Sequence, residues 1–122
     1  MRKTIPLAIL LTALAVPALA DSYPVNGSWG QSSSSENGAI DCSGKRVITF
    51  NGNQRQDSKG GVPAYRNKSV TAESSSSYRV VDQFTSGQIS NGSVSYTLRQ
   101  VDDDHIVMQQ QQGGTIKFQR CK

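Results

Sequence analysis

Residues 92–120, GSVSYTLRQVDDDHIVMQQQQGGTIKFQR, decide the fold. Val94, Tyr96 and Leu98 alternate with Ser95, Thr97 and Arg99, the period of two that a strand shows when one face meets a core and the other meets water. The alternation restarts twice. Ile106 and Met108 oppose Val107 and Gln109, and Ile116, Phe118 and Arg120 oppose Lys117, Gln119 and Cys121. Asp102-Asp103-Asp104 and Gly113-Gly114 punctuate the three runs with turn residues, so consecutive strands fold back on one another as an antiparallel meander. Continued alternation would turn part of Gln109–Gln112 inward, so the middle strand is expected to end near Met108 or Gln109.

The same pattern extends upstream. Tyr78, Val80, Asp82 and Phe84 share a face, Asn91-Gly92 is a hairpin turn, Ile48 and Phe50 share another face before Asn51-Gly52, and Val25 and Trp29 share the face of a first strand. Asp82 interrupts an apolar face. It reads either as a buried acid with a partner or as a bulge where the phase slips, and the bulge is the favoured reading. Residues 31–38, with four consecutive serines, form a loop. Residues 54–77 are the least legible, with a strand expected near Ser69–Ser74. Residues 21–122 hold one leucine, three alanines and two glutamates against nine valines, five isoleucines and five threonines, a composition that suits pleated strands over helices. The expected fold is all-β: a small antiparallel up-and-down barrel of seven or eight strands, whose closure removes exposed edges.

Residues 1–20 read as a secretory signal peptide, with Arg2 and Lys3 ahead of an apolar run and Ala18-Leu19-Ala20 as the cleavage site. The apolar run is too short to span a bilayer, so no membrane anchor is expected. The product is a single domain, residues 21–122, periplasmic or secreted from a bacterium. Removing the leader changes the composition. Fourteen of the roughly 43 hydrophobic residues leave with it, and the remaining 29 in 102 positions, about 28%, make a lean core. Eleven bases against nine acids leave a net charge of +2. In an oxidising compartment Cys42 and Cys121 are expected to pair, which offsets some of that leanness.

Arg120 is in phase with Ile116 and Phe118, so its guanidinium needs a partner on the core side. Trp29, the single tryptophan, can supply an aromatic face where the first and last strands meet, making Trp29 and Arg120 a barrel-closing pair. Gly27-Ser28-Trp29 with Arg120 resembles the lipocalin-like (calycin) barrels, which carry Gly-x-Trp in the first strand and a late arginine packed across that tryptophan. That resemblance implies a ligand-binding barrel, although this chain is shorter than typical members and shows no recognisable C-terminal helix. Cys42-Ser43-Gly44, the strand reaching Phe50 and Ser86-Gly87 also resemble the bacterial barrels that inhibit c-type lysozyme. In those proteins a Ser-Gly loop enters the enzyme cleft, which makes Thr85, Ser86, Gly87 and Gln88 a candidate partner-binding loop.

The residues offer little for catalysis. His105 is the single histidine, no nucleophile motif accompanies it, and Asp102–Asp104 lack calcium-loop spacing, so neither enzyme activity, metal nor cofactor is expected. Arg79, Arg99 and Lys117 lie on outward faces, but Tyr78, Phe84, Tyr96 and Phe118 fall on the opposite ones, which argues against nucleic acid. The leading expectation is an exported, non-enzymatic, monomeric binding protein of unknown ligand or partner. One alternative is an inhibitor of a secreted hydrolase. The other is a carrier of a small apolar ligand, with Ile48, Tyr78, Val80, Phe84, Tyr96, Leu98 and Met108 as candidate pocket residues, although so lean a core favours a filled barrel.

Overall fold

A computed structural model describes residues 22–88 and 90–122, and the signal-peptide reading falls on residues outside those described. Eight strands run in chain order: β1 (Gly27–Gln31), β2 (Val47–Asn51), β3 (Gln54–Asp57), β4 (Tyr65–Ala72), β5 (Ser77–Phe84), β6 (Gly92–Asp102), β7 (His105–Gln110) and β8 (Gly114–Arg120). Each pairs antiparallel with the next, and β8 returns to β1 to close the barrel. At the β5–β6 and β7–β8 reversals, Asn91 (φ 65°) and Gly114 (φ 82°) adopt the left-handed backbone that tight turns require. Trp29, Ile48, Phe50, Val80, Leu98, Ile106, Met108 and Phe118 are buried, following the period-two pattern.

Three features depart from expectation. The strand expected near Ser69–Ser74 begins earlier, at Tyr65, and the short polar β3 precedes it. Asp82 marks no slip in its own strand, because the β5–β6 register runs unbroken from Ser77↔Arg99 to Phe84↔Gly92. The bulge lies on the neighbouring strand: Asn67 pairs with Asp82 and Ser69 with Val81, leaving Lys68 as the extra residue. A similar irregularity between Gln100 and Asp102 leaves Val101 the extra residue of β6. The polar run also continues β7 to Gln110.

The Cys42–Cys121 disulfide (Cα–Cα 5.6 Å) ties the approach to β2 to the chain end beyond β8. Its sulfur packs directly on β1, where a Cβ on Gly30 would lie 2.5 Å from Cys42 Sγ. The loop from Ser32 to Ile40 is strapped over the outside of β8 by Gln119. This buried side chain accepts from the Ser32 hydroxyl (3.2 Å) and donates to the carbonyls of Glu36 and Gly38 (2.9 Å each). The weakest seam is β3–β4, with two register pairs, Gln54↔Arg66 and Arg55↔Tyr65.

Candidate functional site

The two ends of the barrel differ. One is plugged by the chain preceding β1: Tyr23 and Val25 are buried, the Tyr23 amide donates to Gly52 O (2.9 Å), and its ring meets Phe50 edge-on at 4.9 Å. Arg120 pairs directly with Trp29 in the β1–β8 register, and its guanidinium carbon stands 4.3 Å from the indole centroid. Arg120 Nε donates to Asp103 O (3.0 Å), and its side chain keeps 34% of its exposure, so it forms a lid over a fully buried Trp29. The Asp102–Asp104 hairpin serves this closed end. Asp102 bonds His105 Nδ1 (2.8 Å), a contact that leads the causes holding its carboxyl below the usual range, and Asp104 accepts the Gly38 amide (3.1 Å). Among the described residues no group of three or more His, Cys, Asp or Glu side chains is placed to hold a metal ion.

The other end opens into a cavity of about 550 Å³. Its wall includes Arg46, Arg55, Asp57, Tyr65, Tyr96 and Met108, with Lys59 and Gln110–Gln112 at the rim. The floor is ionic. Arg55 is 4% exposed and donates Nε to Asp82 Oδ2 at 2.7 Å, and Asp82 is 0% exposed. The same carboxylate accepts from Tyr96 Oη (2.8 Å) and Asn67 Nδ2 (3.2 Å). Above it, Arg46 grips Asp57 through Nε (3.0 Å) and Nη2 (2.7 Å), with Arg55 Nη1 3.9 Å from Asp57 Oδ2. Arg55 stacks on Tyr65 with its guanidinium carbon 3.9 Å from the ring centroid. Arg55 therefore reaches from β3 across β4 to Asp82 on β5 and clamps the weakest seam.

Burial and the fixed charges set the protonation of this cluster. Burial pushes the Tyr96 phenol well above its usual pKa, with Arg55 opposing the shift and Asp82 reinforcing it. Burial, then Asp82, raises the Tyr23 phenol, whose hydroxyl feels that carboxylate without a hydrogen-bond partner of its own among the described residues. Burial works against the Arg55 charge, but the Asp82 carboxylate at 2.7 Å outweighs it and holds the guanidinium protonated. The result is a cup with fixed donors at its base and aromatic faces on its wall.

Of the candidate pocket residues, Tyr96 and Met108 line the cup, while Ile48, Val80 and Leu98 are buried in the core. Tyr78 packs half-buried against that core. Phe84, the last residue of β5, turns over the Gly92 backbone and meets Tyr65 edge-on at 5.4 Å, outside the cup. The loop carrying Thr85, Ser86, Gly87 and Gln88 leaves β5 at the open end, with Thr85, Gly87 and Gln88 exposed. The barrel is thus filled at one end and open at the other. Arg55 and Asp57 were missed because hydrophobic alternation does not register a strand whose inward residues are charged, and Arg46 because it stands ahead of the apolar run of β2. The available signal was Asp82, an acid on an apolar face that demands a cation.

The described residues define a small, closed, eight-stranded antiparallel barrel with one disulfide and a polar cup at one end. Comparison with protein-family models, curated proteins and solved structures finds no match.

Proposed function

We propose that this is an exported, monomeric, non-enzymatic binding protein that takes a small ligand into the open end of its barrel. The observation that carries this reading is the asymmetry of the ends: one plugged, the other a cup of about 550 Å³, within the range of small-molecule sites. The disulfide is compatible with an oxidising compartment outside the cytoplasm. His105 stands at the closed end, away from the cup, which favours binding over catalysis. The Trp29–Arg120 contact accords with the lipocalin-like resemblance. The cup suits a ligand with a flat or apolar part for Tyr65, Tyr96 and Met108 and a polar part for the arginines, rather than a wholly apolar one.

The test is a panel of small amphipathic compounds screened by amide chemical shifts. A ligand of the cup moves Tyr65, Tyr96 and Met108 saturably, and Met108→Trp, which fills the cup, abolishes the effect. Shifts confined to the closed end, no shift at millimolar concentration, or binding indifferent to Met108→Trp would sink the proposal. The position of Thr85–Gln88 at the same end supports a second reading, inhibition of a secreted hydrolase. Absence of inhibition of lysozyme and secreted proteases at micromolar concentration removes it.

A further inference from the structure

Charge is sorted by position on this molecule. Asp57 and Asp82 are tied to arginines within the barrel, while Asp102, Asp103 and Asp104 belong to a closed-end hairpin. The exposed charges along β4, β5 and β8 are all basic: Arg66, Lys68, Arg79 and Lys117. The sorting is sharpest beside the cup, where an open groove of about 770 Å³ runs over the end of β1. Lys45, Arg46 and Lys117 line it together with Gln31, Ser33 and Thr115, and no carboxylate is among its lining residues. The backbone fixes this grouping: the Gln31 amide donates to Arg46 O and the Ser32 amide to Lys117 O, both at 2.9 Å. Lys45 and Lys117 have no ion-pair partner among the described residues, and Asp41, which feels Lys45, spends its carboxylate on the Ser43 amide and hydroxyl.

We propose that this groove binds an anionic glycan, a saccharide chain bearing acidic groups. The two unpaired lysines attract the acidic groups as flexible point charges, with Arg46, already held by Asp57, beside them. Ser33, Thr115 and Gln31 each present both donors and acceptors, the mixed pattern that sugar hydroxyls require. The other polyanionic surfaces fit less well. A membrane calls for apolar side chains to insert, yet the one exposed large hydrophobic residue described is Val101 (51%), near the opposite end. Single-stranded nucleic acid calls for stacking rings, and none lines the groove. An acidic protein calls for aromatic anchors at the centre of the contact, where lysine and serine are depleted. The groove shares only Arg46 with the cup, so this inference does not depend on what the cup holds.

Dextran sulfate is the probe. Uncharged dextran is the control, and phosphatidylglycerol vesicles, a single-stranded oligonucleotide and polyglutamate are the competing surfaces at matched charge concentration. The expected result is saturable binding of dextran sulfate that weakens as salt rises. Lys45→Gln and Lys117→Gln should each weaken it about fivefold and each reduce the slope of log affinity against log salt by about 0.7–0.9. Arg79→Gln makes the same charge change on the far wall and should leave affinity within about twofold. An equal loss from Arg79→Gln, equal binding of uncharged dextran, tighter binding of a competing surface, or no binding overturns the proposal. Should a lysine variant fail to fold, amide shifts in the unmodified protein decide: dextran sulfate must move Ser33, Lys45, Thr115 and Lys117, and shifts elsewhere refute the site.

Discussion

Asp82→Asn removes one charge and almost no volume, so it isolates the ionic clamp from packing. In the folded protein Asp82 is fully buried and accepts from Arg55, Tyr96 and Asn67 at 2.7, 2.8 and 3.2 Å. The variant leaves Arg55, itself 4% exposed, with Asp57 at 3.9 Å as its remaining acidic neighbour, and Asp57 is already committed to Arg46. Breaking one half of a buried ion pair costs about 3–5 kcal/mol, and the nearby Asp57 places this case at the lower end, ~3 kcal/mol. A domain of this size is stable by roughly 5–15 kcal/mol and loses about 4–8 °C of melting temperature per kcal/mol, so Tm should fall by about 12–24 °C. Urea unfolding with the disulfide intact is the assay, with a lower midpoint and an unchanged slope expected. Arg55→Met with Asp82→Leu should recover part of the loss, because removing both charges leaves neither desolvated alone, although Tyr96 Oη and Asn67 Nδ2 lose their acceptor. A single variant within about 1 kcal/mol of the parent, or a double variant no better than the sum of its parts, would refute the clamp.

Three further outcomes follow from the same geometry. Gly30→Ala places a Cβ 2.5 Å from Cys42 Sγ, and the overpacking should cost about 1–3 kcal/mol and slow disulfide closure; thiol titration during refolding reads this, and normal closure contradicts it. Arg120→Met should cost about 0.5–2 kcal/mol and uncover the Trp29 face, with longer-wavelength emission and easier acrylamide quenching; unchanged emission refutes the lid. Tyr23 and Tyr96 have phenols raised above their usual pKa, so the fold opposes their ionisation. The stability they contribute is complete below the unfolded value near pH ~10 and is lost as pH rises beyond it. Ultraviolet titration should show these two ionising only as the fold is lost, and early tyrosinate formation at either position in the native protein contradicts this.

The barrel was legible in the sequence where its interior is apolar. Val94-Tyr96-Leu98 and Ile116-Phe118-Arg120 declared their faces by alternation, and Trp29 and Arg120 could be brought together because each shared the core phase of a terminal strand. The reading failed where the interior turns polar. In Gln54-Arg55-Gln56-Asp57 the inward residues are Arg55 and Asp57, so the hydrophobic pattern of a strand is missing although the period of two is intact. The bulge expected at Asp82 belongs to the paired strand because register is a property of two strands, and one sequence run does not say which of them holds the extra residue. The cup was illegible for the same reason as β3, since its floor consists of residues that a hydrophobic reading assigns to the surface.

The two failures have one physical origin. An eight-stranded barrel has an interior wide enough to be filled by side chains or to hold one small ligand, and the apolar core of this lean chain leaves a cup at one end. Beneath the open end it places Arg55 and Asp82, and a buried ion pair is often replaced by well-packed hydrophobic residues of similar volume at no loss of stability, or with a gain. Stability alone therefore does not account for the pair. A guanidinium fixed between the Tyr65 ring and a buried carboxylate that itself holds three donors forms a preorganised polar floor, whose orientation a ligand need not spend binding energy to create. The double variant Arg55→Met with Asp82→Leu separates the two roles: it should fold more stably than Asp82→Asn yet lose affinity for any ligand that occupies the cup. Retained affinity in a stably folded double variant would show that the floor serves only to close the β3–β4 seam.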